Sequence, residues 1–225
     1  MACSSFSSYG LYGRNRLPSS AVSPRPYRLG ERAVAVADTR RRIVDAARDL
    51  LCEGGRQRSV DDVARRADVA RATVYQHYGS KLGLVEAVLA DLEDRADLAR
   101  LTSVITETPA ADLLRATIVD GCRYWATDPV LARRILGLTA ADPDAAALVA
   151  RHDEGRLALL RTVVGRLDEA GLLGVAPDEA LDVLWLLTGF DAYDTLALAR
   201  GRTTDAVGVL LADLADARLG TPRHG

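Results

Sequence analysis

Lysine is nearly missing from this chain of 225 residues: Lys81 is the only one, against 28 arginines. Methionine occurs only at position 1, and the bias toward Arg, Ala and Leu has the look of GC-rich coding. Arginine abundance by itself therefore argues for no partner. Cysteine is scarce too. Cys3, Cys52 and Cys122 are odd in number, far apart and without Cys or His at metal-ligand spacing, which excludes a zinc site and a disulfide framework. Cys52 and Cys122 fall in apolar helical patterns and read as small buried hydrophobes. No apolar run approaches the roughly 20 residues that cross a bilayer, and no charged start leads into an apolar stretch. Neither a membrane partner nor a secretory signal is expected, and a cytoplasmic location is the default. The three histidines, His77, His152 and His224, are isolated. With no nucleophile elbow, glycine-rich phosphate loop or metal spacing, no enzyme and no cofactor is expected.

What the chain does have is an uneven distribution of charge. The net charge of −2 combines a basic N-terminal third with an acidic remainder. Residues 1–81 hold 15 Lys/Arg against 8 Asp/Glu, and residues 82–225 hold 14 against 23. That asymmetry points to a polyanion partner for the first part only. Residues 1–37 are rich in Ser, Gly, Pro and Arg, lack apolar periodicity, and read as a disordered extension. Arg14, Arg16, Arg25, Arg28 and Arg32 would be free there for loose contact with a DNA backbone.

From Asp38 onward the pattern is helical throughout. Ile43, Ala46, Ala47, Leu50 and Leu51 recur at i, i+3, i+4, i+7 and i+8, with Asp38 as the expected N-cap and Gly54-Gly55 as the stop. Ser59-Val60-Asp61-Asp62 fits a capping-box start, and Val60, Val63, Ala64 and Ala67 form the buried face of the helix that follows. After a turn at Asp68-Val69-Ala70, a short helix runs from about Arg71 to Tyr78, and Gly79-Ser80 recaps the chain into a fourth helix from Lys81. Breaks at Thr108-Pro109, Asp128-Pro129, Asp142-Pro143, Gly171 to Pro177 and Gly201 divide the rest into five more helices. The expected fold is all-α: a helix-turn-helix domain over residues 38–84, then a larger helical bundle over residues 85–220.

Two short helices joined by a three- or four-residue turn, on a basic domain, form the pattern of a helix-turn-helix DNA reader. In "RATVYQHY" Val74 and Tyr78 share the buried side, while Arg71, Ala72, Thr73, Tyr75, Gln76 and His77 lie elsewhere. Arg pairs with guanine, Gln with adenine, and the Thr methyl touches that of thymine; Tyr and His reach phosphates. Lys81 stands at a helix N-terminus, itself an anion site. A lone compact cation there makes sense facing a phosphate.

The stretch "TRRRIVDAARDLLCEGG…SVDDVARRADVARATVYQHYGSKLGLVEAVL" closely resembles the DNA-binding domain of the tetracycline-repressor-like (TetR) family of bacterial regulators. The resemblance rests on the Ala-Ala pair of the first helix, on Val63-Ala64, and on the Thr-x-Tyr-x-His-Tyr string before x-Ser-Lys. It implies DNA contacts by Thr73, Tyr75, His77 and Lys81, a phosphate contact by Ser59, and core roles for Val63, Ala64, Val74 and Tyr78. For Tyr75 and His77 the alternative is packing against the first helix. The chain departs from the family in the turn, with Asp68 where glycine is usual, and at the cap of the reading helix, with Ala70 where serine is favoured. Asp tolerates left-handed backbone; the missing cap costs on the order of 0.5–2 kcal/mol.

A single reading helix covers few base pairs, so a homodimer on a palindromic operator is expected. The expected interface is Leu184 and Leu187 (with Leu196 and Leu198) on one helix and Val207, Leu210, Leu211 and Leu214 on the last. Alternatively that stripe covers its own core. Tyr124, Trp125, Arg134, His152, Trp185, Phe190 and Tyr193 are the candidate lining of a small-molecule effector site, each alternatively ordinary core or surface. The resemblance thus implies a ligand-responsive, dimeric repressor in the bacterial cytoplasm, on the nucleoid when bound. A ligand-independent or protein-responsive regulator is the rival reading, and an all-helical enzyme a remote one.

Overall fold

The computed structural model describes residues 25–53 and 59–220, with side chains from residue 31 onward. The expected disorder of residues 1–24, and the Gly54-Gly55 stop, lie outside the described residues. Helix α1 spans Arg25–Glu53, so it starts well before the expected cap, and Asp38 is an interior residue of it. Residues 31–37 are all exposed, with Val34 at 70%. Apolar periodicity cannot detect a helix turn that buries nothing. Ala, Glu and Arg are good helix formers, and adding residues to a helix already nucleated is easy.

Helix α2 is Val60–Arg66, α3 is Arg71–Tyr78 and α4 is Lys81–Arg95. The capping box at the start of α2 is complete: Asp62 N donates to Ser59 Oγ (3.2 Å) and Ser59 N to Asp62 Oδ2 (3.0 Å). The Ser59 N–H and hydroxyl, both donating to it, hold the Asp62 carboxyl below its ordinary pKa. Asp68 takes the left-handed conformation in the turn, φ 52°, and Ala70 gives α3 no side-chain cap. Gly79, at φ 71°, turns the chain into α4, where Ser80 Oγ accepts from Gly83 N at 2.9 Å. A Cβ on Gly83 would stand 2.1 Å from the Tyr78 carbonyl oxygen, so only glycine allows α3 and α4 to meet this closely.

These helices share one core of Ile43, Ala46, Ala47, Leu50, Val60, Val63, Ala64, Ala67 and Val74, extended by Leu84, Val88, Leu89 and Leu92 of α4. It runs past the expected boundary at residue 84 and takes in Leu131 and Ile135 of α7 (Pro129–Leu138). The second core joins α5 (Leu98–Glu107), α6 (Ala110–Ala126), α8 (Pro143–Glu169), α9 (Pro177–Leu187), α10 (Phe190–Asp194) and α11 (Thr204–Leu219). Helix α6 packs tightest on α11, where Gly208 lets its backbone approach Val119. The described residues contain only helix, turn and loop.

Two breaks differ from expectation. Helix α4 ends at Arg95 rather than running to Thr108, because Asp97 adopts φ 53° and its Oδ1 accepts from Arg100 N (3.1 Å), starting α5. No Gly or Pro marks that site. The helix expected from Pro177 to Gly201 breaks at Thr188-Gly189 and then continues as α10 and a π-helical turn, Thr195–Ala199. Asp128 and Asp142 cap α7 and α8 ahead of Pro129 and Pro143, where the breaks were expected. Cys122 is buried, but Cys52 is only half-buried, its Sγ 4.0 Å from Asp128 Oδ1.

Candidate nucleic-acid interface and ligand cavity

Helix α3 buries one thin seam. Val74 is 1% exposed, and Tyr78, half-buried, donates its hydroxyl to the Arg40 carbonyl at 2.9 Å. Tyr78 is thus the residue that ties α3 to α1. Burial raises its phenol pKa, and the hydroxyl stays protonated to donate. Arg71, Ala72, Tyr75 and Gln76 are exposed, and Thr73 and His77 half-buried. Tyr75 is 38% exposed; its hydroxyl accepts from Arg71 Nη2 (3.4 Å), and Arg71 Nη1 meets Asp61 Oδ2 at 3.1 Å. Arg71 is therefore pre-oriented across the face, and it is held there by an acid of α2.

Ser59 and Lys81 begin α2 and α4 and border one crevice with Val60, Val63 and Leu84. The two helix N-termini thus border the same crevice. Lys81 is exposed and makes no ion pair among the described residues. The Lys81 ammonium, together with the uncapped backbone N–H groups at the start of α4, makes a surface suited to phosphates.

A cavity of about 310 Å³, open on one side to solvent, lies between α5, α6 and α8 and is reached by Glu93 of α4 and Thr188 after α9. Tyr124, Trp125 and His152, three of the expected residues, line it. The other four do not. Arg134 is exposed on α7; Phe190 and Tyr193 are buried core, Phe190 edge-on to Trp125 at 5.3 Å and Tyr193 bonded to Thr204 (3.1 Å). Trp185 instead stacks on Arg156, its ring centroid 3.5 Å from Cζ.

Arg156 is the residue that sequence reading missed. It lines the cavity from α8, and its Nη1 donates to Trp185 O and Thr188 Oγ1, both at 3.2 Å. Burial pulls its pKa below the ordinary arginine value, with Asp153 opposing. Thr188 fastens the opposite wall as well, since its carbonyl accepts from Trp125 Nε1 at 2.9 Å. Gly121 and Gly155, in the middle of α6 and α8, also line the space. Glycine inside a helix costs roughly 0.5–1 kcal/mol against alanine; these two leave room that side chains would take, and they were a signal available in the sequence. Burial and the Glu93 charge raise the Tyr124 phenol, which stays neutral.

The expected dimer stripe requires correction. Leu184, Val207 and Leu211 are 0–3% exposed and belong to their own core, because α9 and α11 turn those faces inward. Leu187 is half-buried against the same core. Leu210 is half-buried, and Leu214 is 50% exposed. The large apolar side chains left at the surface of these helices are Leu186 (70%), Val209 and Leu214, with Leu198 beyond α10.

Residues 43–88 match the family model described as "Bacterial regulatory proteins, tetR family". The chain is 37% identical over 67 residues to the HTH-type transcriptional regulator SrpR of Pseudomonas putida, an alignment covering 29% of this chain and 32% of SrpR. It spans about a third to a half of the length of the curated relatives it matches there. Among solved structures, the transcriptional regulator FadR of Bacillus subtilis in complex with stearoyl-CoA superimposes at TM-score 0.64 and 19% identity, over 77% of this chain and 96% of FadR. NalD of Pseudomonas aeruginosa, the secondary repressor of the MexAB-OprM multidrug efflux pump, does so at 0.63 and 24%, over 83% and 97%. The sequence match lies in residues 43–88, and over the rest of the chain the likeness to these regulators is one of fold.

Proposed function

We propose that this protein is a homodimeric, DNA-binding transcriptional repressor that a small molecule releases from a palindromic operator. The observation that carries the proposal is that one helix serves both sites. Helix α4 begins at Lys81, three residues after the end of α3, and twelve residues later places Glu93 in the cavity wall. At 1.5 Å per residue these points are about 18 Å apart. A ligand that moves the far end of α4 against α8 tilts the near end, which carries the reading helix. Two reading helices of a dimer must match half-sites about 34–36 Å apart, so a small tilt doubled by symmetry spoils the fit. DNA and ligand then oppose each other by linkage.

In this reading Arg71, Ala72, Thr73 and Gln76 face base edges, and Ser59, Tyr75, His77 and Lys81 face phosphates. The dimer face is Leu186 of α9 with Val209, Leu210 and Leu214 of α11. The relatives support the direction: FadR was solved with an acyl-CoA, and NalD is a repressor. Selection of bound duplexes from a random pool tests it. A two-fold symmetric consensus is expected, with one dimer per site by sedimentation. Uniform binding of all sequences, or a site without symmetry, would sink the proposal.

A further inference from the structure

The cavity's polar groups are not equivalent. Glu93 Oε1 lies 2.8 Å from His152 Nδ1, and Arg151 pairs with Glu86 at 3.5 Å. Arg156 is different. Two acceptors and the Trp185 face fix its guanidinium, yet its Nε is buried with no hydrogen-bond partner among the described residues. Asp153 Oδ1, on the same cavity wall, is 3.5 Å from that Nε and forms an ion pair with it, and its side chain is 46% exposed. Nη2 makes no hydrogen bond either, among the described residues. Arg156 is therefore a positioned cation with donors to spare, about three-quarters buried, at the wall of an apolar space. The Nε is closed off from the cavity, so an anion there takes the Nη2 donors, and a desolvated guanidinium gains from such a charge-assisted bond.

The rest of the wall sets the body of such a ligand. Leu98, Leu101, Ile105, Leu159 and Leu160 are aliphatic and the nearby rings are Tyr124 and Trp125. About 310 Å³ is at the small end of the roughly 300–1,000 Å³ of small-molecule sites. We infer that the effector is a compact apolar carboxylic acid, its carboxylate on Arg156 and its hydrocarbon body among the leucines of α5 and α8. This rests on the reading of the chain as an effector-released repressor, and it deepens that reading by naming the ligand class. A cationic effector is disfavoured because His152 already occupies Glu93.

The chain reports on the site by itself, for it has two tryptophans. Trp125 lines the cavity and Trp185 covers Arg156. Intrinsic fluorescence of the full chain, titrated with octanoate, octanol and octylamine, compares three head groups on one tail. Octanoate is expected to bind at least tenfold tighter than octanol, with octylamine weakest. Arg156→Gln should erase the difference between acid and alcohol, and Arg156→Lys should keep part of it. Gly155→Leu, which has open space at its Cβ, should block all three while Arg156 stays in place. Should Arg156→Gln fail to fold, the head-group comparison on the native chain and Arg156→Lys carry the test. Equal binding of acid and alcohol, tightest binding of the amine, no response to any of the three, or an acid preference that survives Arg156→Gln would each overturn the inference. Operator retention is measured separately. Arg156-dependent octanoate binding without operator release leaves the ligand class standing and removes the release mechanism. A selected palindrome with no octanoate binding does the reverse.

Discussion

Glu93 Oε1 of α4 lies 2.8 Å from His152 Nδ1 of α8, in the wall of the cavity. The residue before it, Leu92, is 2% exposed in the core that α4 shares with α1, α2 and α3. Two successive residues of α4 therefore touch the first core and the cavity wall.

Glu93→Gln keeps the shape and removes the charge. A part-exposed pair is worth up to about 1 kcal/mol, so stability and operator affinity without effector should barely move. The ratio of operator affinities without and with octanoate should fall severalfold, within the ~0.5–2 kcal/mol by which mutations shift coupling. Paired binding titrations measure it. An unchanged ratio would mean that the signal reaches α4 by another contact.

Lys81 stands at two adjoining helix starts with no ion pair among the described residues. Lys81→Ala should weaken binding to every duplex about equally and reduce the salt slope by roughly one unit. Gln76→Ala should instead alter which bases are preferred. Salt titrations on operator and random DNA separate the two; a normal slope for Lys81→Ala would remove the phosphate role.

Arg71 carries a restraint of its own, the Asp61 carboxylate at 3.1 Å. Asp61→Asn frees the guanidinium and removes a negative charge from the reading face. Operator affinity should rise several-fold, and the gain should shrink when Arg71 is also replaced by Ala. A gain of equal size in both backgrounds would show that Asp61 acts on DNA directly and not through Arg71.

Much of the reading head was legible in the sequence because local rules dictate it. Ser59 and Asp62 announce a capping box, Val63 and Val74 lie at helical spacing, and an aspartate at position 68 is among the few side chains that tolerate a left-handed turn. The bundle was less legible. Its helices are apolar on more than one side, so the Leu184, Val207 and Leu211 stripe could not be told from a surface one without knowing which side the core lies on. The cavity is a property of missing volume. Tryptophans were a poor guide to it, while Gly121, Gly155 and the arginine at 156 mark it. The break at Asp97 has no Gly or Pro to signal it, and exposed helix before Asp38 has no apolar face.

Gly83 makes a sharp packing prediction. A Cβ there meets backbone at 2.1 Å, so Gly83→Ala must separate α3 from α4 and should cost about 1–3 kcal/mol, the range of overpacking. Gly137→Ala on α7, where a Cβ meets nothing within 4 Å, should gain roughly 0.5–1 kcal/mol. Thermal melts of the two variants should move in opposite directions. A Gly83→Ala variant as stable as the native chain would mean that the turn yields without strain.

The dimer face is tested by two leucines of opposite burial. Leu211 is 3% exposed and belongs to the second core, so Leu211→Glu puts a carboxylate among apolar side chains and should unfold the bundle whatever the oligomeric state. Leu186 is 70% exposed, and Leu186→Glu should leave the fold of a single chain intact. In a dimer that seals Leu186 against its partner, the same substitution brings two like charges together across the symmetry axis or strands each without water. The variant should then sediment as a folded monomer with its helical content retained. Operator affinity should fall by orders of magnitude, because the two reading helices lose their fixed separation. Leu214→Glu on α11 should behave likewise and add little to Leu186→Glu, since a broken interface cannot break twice. A Leu186→Glu variant that remains dimeric moves the interface elsewhere. One that becomes monomeric yet holds its operator at full affinity removes dimer geometry from the recognition mechanism.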